Sequence, residues 1–131
     1  MKTLALSSHE LAGNNAADVG NILNATGGKV KVIKIYIVPN LAVTAHASNV
    51  ITTTFANDGN TLGVQTTDSD ISGYAAHVEG TPIEVDLTAT GDDLILEDGE
   101  VISVDVAAGG TGPAYAFQAV AQVERVRVGG D

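Results

Sequence analysis

Residues 29–39, Lys-Val-Lys-Val-Ile-Lys-Ile-Tyr-Ile-Val-Pro, constrain this chain more than any other stretch. Val30 and Val32 alternate with Lys29 and Lys31, and the alternation then shifts phase at the Val32-Ile33 pair to continue as Ile33, Ile35 and Ile37. A period of two in β-branched residues marks a half-buried strand. Two adjacent apolar residues at the phase shift predict a β-bulge, or a strand passing between two packing environments, and either bends the strand. Pro39 removes a ladder donor and Asn40 is a turn residue, so the strand ends there.

The same pattern recurs along the chain. Asn49–Ala56 places Ile51, Thr53 and Phe55 on one face, and Asp58-Gly59 then joins it to a return strand over 61–67, the strongest short hairpin signal available. Thr81–Thr88 alternates Ile83, Val85 and Leu87 against Glu84 and Asp86. Leu94-Ile95-Leu96 reads as a short strand, Glu97–Glu100 as an Asp-Gly turn, and 101–107 as a strand with Ile102, Val104 and Val106 inward. Gly109–Pro113 is a hairpin loop before a final strand, 114–128, with Tyr115, Phe117, Ala119, Ala121 and Val123 on one face. Residues 71–78 fit neither pattern cleanly, and 41–48 read as an Ala-rich link. Residues 1–28 are broken by Ala, Asn and Gly and read as an extended N-terminal arm with short strand elements, ahead of a domain over 29–131. About eight strands spaced by roughly 8–12 residues, with no amphipathic helix, predict an all-β fold: an antiparallel β-sandwich, jelly-roll-like.

A chain of 131 residues is one domain that can bury its own core without staples. There is no Cys, so disulfide and thiolate chemistry are excluded. No apolar run is long enough for a membrane span or a signal-peptide core, which predicts a soluble protein made in the cytoplasm. The net charge is −10, which disfavours nucleic acid and anionic membranes as partners. Five of the six Lys and Arg lie in two strands: Lys29, Lys31 and Lys34 in the first long strand and Arg125 and Arg127 at the end of the last, and none lies between. A jelly roll sets those two strands antiparallel at the centre of one sheet. Lys29, Lys31, Arg125 and Arg127 then meet in a basic seam on an acidic body, a candidate protein interface at which an acidic surface docks. Glu124 and Asp131 are its local alternatives as partners.

Catalytic and metal chemistry find little support. His9, His46 and His77 have no metal-ligand spacing, and no nucleophile-elbow motif accompanies them. Asp68-x-Asp70 and the Asp92, Asp93, Glu97, Asp98, Glu100 group offer hard oxygens of the type Ca²⁺ takes, roughly six to eight at a time, but they read better as turn aspartates. Gly109-Gly110-Thr111-Gly112 lacks the Lys of a phosphate loop. No cofactor and no enzymatic activity are expected.

With this strand order, residues 29–128 resemble the small jelly-roll decoration (cement) proteins of tailed bacteriophage capsids. The resemblance rests on the Val-Ile-rich strand ending Ile35-Tyr36-Ile37-Val38-Pro39, on Glu97-Asp98-Gly99-Glu100 before Val101-Ile102-Ser103-Val104, and on the last strand ending Val123-Glu124-Arg125-Val126-Arg127. It implies a non-enzymatic structural protein on the virion surface, with the major capsid protein as partner and a homotrimeric state. Surplus apolar surface for so acidic a chain also favours symmetric closure. The competing class is a carbohydrate- or ligand-binding sandwich, whose usual platform of exposed aromatics is poorly served by Tyr36, Phe55, Tyr74, Tyr115 and Phe117, mostly on inward phases. A hydrolase or isomerase on a jelly roll has the least support.

Overall fold

The computed structural model describes residues 3–14, 18–71, 76–110 and 113–126. Ten strands are present among them: β1 (Thr3–Ser7), β2 (Leu11–Asn14), β3 (Asp18–Leu23), β4 (Val30–Pro39), β5 (Val50–Asn57), β6 (Asn60–Thr66), β7 (Ile83–Val85), β8 (Ile95–Leu96), β9 (Val101–Gly109) and β10 (Ala114–Arg125). One antiparallel sheet runs β1-β10-β4-β7, with β2 continuing the β1 edge and β8 continuing the β7 edge; the other runs β3-β9-β5-β6. Counting β1/β2 and β7/β8 as single rows gives eight rows, in sequence order 1-8-3-6 and 2-7-4-5. That is the two-Greek-key order of a jelly roll.

The phase shift in β4 is a bulge. Val123 pairs with Val32 and Gln122 with Lys34, which leaves Ile33 as the extra residue, and Val30, Val32, Ile35 and Ile37 are all buried. The 57–60 hairpin is closed by Asp58 and Gly59, both in the left-handed region at φ 49° and 84°, the conformation that a two-residue turn matching the strand twist demands. On β10 the alternation holds throughout, with Tyr115, Phe117, Ala119, Ala121 and Val123 inward. These meet Ile51 and Phe55 of β5 and Ile102, Val104 and Val106 of β9 in one continuous core. Each such large side chain contributes roughly 1.5–3 kcal/mol by leaving water.

Three expectations are corrected. The short strand elements expected within residues 1–28 are present, but they are built into the sandwich rather than forming an arm: β1 and β2 pair with β10 over Thr3–Ser7 and Leu11–Asn14, and β3 pairs with β9 over Asp18–Leu23, so these strands supply a row to each sheet. Thr81–Thr88 is not one strand. Ile83–Val85 pairs with β4, and the chain then crosses to the other sheet, where Leu87 bridges Gly63 and the Thr88 amide donates to the Leu62 carbonyl at 2.8 Å. Residues 94–96 begin as a short 3₁₀ turn, Gly91–Leu94, before the two-residue β8. Parts of the 71–78 and 109–113 segments lie outside the described residues.

Candidate functional site: two opposed poles

The topology gathers the connections at two ends of the sandwich. One pole carries the 24–29, 58–59 and 91–100 segments and the end of β10; the other carries the 40–49, 67–71 and 76–82 segments and the start of β10.

The first pole holds the candidate interface residues. Lys31 pairs in register with Glu124 and Val30 with Arg125, and the Val126 amide donates to the Lys29 carbonyl at 3.0 Å, so the backbone brings Lys29, Lys31 and Arg125 together. Arg127 lies outside the described residues. Two of these side chains, those of Lys29 and Arg125, already have partners within the chain. Lys29 Nζ is 3.3 Å from Glu97 Oε2, and Arg125 Nη2 donates to the Thr26 carbonyl at 3.0 Å. Asp98 accepts from the Gly27 amide, and Glu100 from the Glu97 amide at 2.7 Å. Carboxylates therefore interleave with the cations, and the pole is mixed in charge rather than basic. Lys34, further along β4, pairs with Glu84 at 3.7 Å.

Beneath this pole lies Asn24, fully buried, a residue that pattern reading passes over. Its amide nitrogen is 2.9 Å from the carbonyls of Gly28 and Glu97 and 3.2 Å from that of Leu96. Its oxygen accepts from the Thr26 amide and hydroxyl. One side chain thus ties the 24–29 turn to the 96–97 segment.

The second pole differs chemically. Leu41, Ile71 and Val78 are 42%, 49% and 56% exposed there. An open groove of about 470 Å³ is lined by Leu41, Ala42, Val43, Pro113 and Ala114, with Thr44, His46 and Asn49 as its polar members. The described residues of this pole include no Lys or Arg; its carboxylates are Asp68, Asp70 and Glu79, with Glu10 held by Asn40 Nδ2 at 2.7 Å.

No protein family, curated protein or solved structure matches this chain.

Both loops of the second pole are stitched by backbone hydrogen bonds. Val43 and His77 exchange N–H···O bonds of 2.9 Å, while the His46 amide donates to the Thr67 carbonyl and the Ser69 amide to the His46 carbonyl. Asp68 acts as a turn residue, its Oδ1 accepting from the Asp70 amide at 2.9 Å. Among the described residues no three His, Asp or Glu side chains gather in a metal-holding arrangement. Phe55, Tyr115 and Phe117 lie in the core, and Tyr36 is half-buried on the outer face of the first sheet. Among the described residues no helix is long and apolar enough to cross a membrane.

Proposed function

We propose that this chain is a non-enzymatic structural protein of the virion, a decoration (cement) protein that seats on the outside of a tailed-bacteriophage head through its looped pole and reinforces the shell. The observation that carries this reading is the separation of chemistry between the poles: Leu41, Ile71 and Val78 stand exposed at the looped pole, whereas the described Lys and Arg lie on β4 and beside the opposite pole, most of them already partnered. Apolar side chains rimmed by Asp70 and Glu79 on a rigid scaffold fit a partner surface that is apolar at its centre and basic at its edge. The major capsid protein is the partner in this reading, and the working unit is a homotrimer whose closure covers further exposed apolar residues such as the facing Leu23 and Val101 on the outside of the second sheet.

Mass spectrometry of purified virions tests the reading directly. Near-stoichiometric copies with the major capsid protein are expected, and absence from particles rejects it. With undecorated heads in hand, the double substitution L41S/V78S should weaken binding at least about tenfold, some 1.4 kcal/mol, without lowering the melting temperature.

A further inference from the structure

The antiparallel stitch between the 40–49 loop and the 76–82 segment carries a buried histidine, His77. His77 is 2% exposed, its ring stands edge-on to Phe117 at 5.9 Å, and its Nδ1 is buried with no hydrogen-bond partner among the described residues. A proton on this ring is a buried, unpaired charge. His46 is exposed, and its Nδ1 accepts from the amides of Ser48 and Asn49 at 3.0 and 2.9 Å, within its own loop and apart from the backbone bond to Thr67.

We propose that His77 forms an acid-released clasp, which holds the 40–49 loop against the His77 segment at neutral pH and lets the Val43–His77 stitch part when its ring is protonated. The groups around the clasp do not oppose this. The 40–49 loop and β10 present Val43 and Phe117 to His77; the other titratable or charged groups on the packed elements are Tyr115 on β10, Glu10 beside Asn40, Glu79 on the His77 segment, and Lys34 and Glu84, which pair with each other. Asp68 bridges His46 from the adjoining turn, and its Oδ1 accepts from the Asp70 amide. Among the described residues none of these carboxylates forms an ion pair with either histidine.

Burial lowers the His77 value from 6.5 to about 4, so the closed form binds fewer protons than the open one between those limits. The closed state is therefore fully favoured above pH 6.5 and loses ground as pH falls toward 4. Linkage between these two values gives an opening constant about 20-fold larger at pH 5 than at pH 7.

Native-state hydrogen exchange on the full chain reads the clasp at the amides of Val43 and His77. Corrected for intrinsic rates, their protection should fall about 20-fold from pH 7 to pH 5 while the β4–β10 ladder keeps its own. In H77F, which keeps an aromatic edge but not the titration, the fall should vanish. An unchanged protection in the wild-type chain, or an equal fall in H77F, overturns the proposal. A ring titration by NMR makes the test independent of how the variants fold: His77 titrating near pH 6.5 with its stitches still protected also overturns it. The proposal concerns the isolated chain and stands or falls apart from capsid docking.

Discussion

Asn24 is the side chain on which the charged pole depends most. Its amide replaces water for three carbonyls from two segments far apart in sequence, and its oxygen caps the turn that begins at Thr26. Substitution by Ala removes all three of these bonds and the acceptor for Thr26 at a fully buried position, although the Gly28 and Glu97 carbonyls keep the Thr26 hydroxyl and the Glu100 amide as donors, so N24A should cost about 2–4 kcal/mol in urea denaturation. N24D should cost more, since it sets a carboxylate oxygen against carbonyl oxygens. A loss below about 0.5 kcal/mol in N24A would show that water takes over the role. Gly63 illustrates a different constraint at the same scale: a Cβ there would lie 2.6 Å from the Asp86 carbonyl oxygen, so the crossing between sheets requires a residue without one.

At the scale of elements, strands are legible where period two is backed by β-branched residues and a turn of defined chemistry. The bulge at Ile33, the Asp58-Gly59 hairpin and the inward face of β10 all follow from that combination. β3 fails it because one inward position is Gly20, where the Leu11 side chain fills the space a Cβ would take, so the packing partner is invisible in the local pattern. Residues 83–87 fail differently. Their alternation is real, but periodicity records which residues face inward and not which sheet they join, and the chain changes sheet between Val85 and Leu87. The meeting of Lys29 and Lys31 with Arg125 follows from strand order, whereas Glu97 reaches Lys29 from a segment whose position only the tertiary fold sets. His46 and His77 are likewise brought onto neighbouring stitches by the two loops, with no spacing to announce it. The integration of β1 is directly testable. A chain beginning at Glu10 loses the pairing of Thr3–Ser7 with β10, the half-buried Leu4 and Leu6, and the Ser8 hydroxyl that accepts from the Ala119 amide at 3.0 Å. It should be destabilised by about 3 kcal/mol or more in thermal or urea unfolding, whereas removal of a free arm would leave stability unchanged.

For the molecule as a whole, charge opposes compactness more than it supports it. The net charge is −10, and the described Lys–carboxylate pairs, Lys29–Glu97 and Lys34–Glu84, are exposed contacts worth little in water. Raising NaCl from about 20 to 300 mM shortens the screening length from tens of ångströms to several, and should raise the melting temperature by a few degrees. A fall would mean that ion pairs contribute more than repulsion removes.

The central place of β10 also has a consequence in time. Ala114–Arg125 pairs with β1, β2 and β4, so the rows on either side of it in the first sheet have no ladder between them until the ribosome has released that strand. Earlier hairpins such as 50–66 can form as they emerge, but the first sheet closes only after synthesis of residue 125, by joining segments more than a hundred residues apart. A chain of this kind folds after translation rather than during it, on the millisecond-to-second scale of sandwiches built from distant pairings. Until then its exposed strand edges are the species that a chaperone, or a sister chain, meets first.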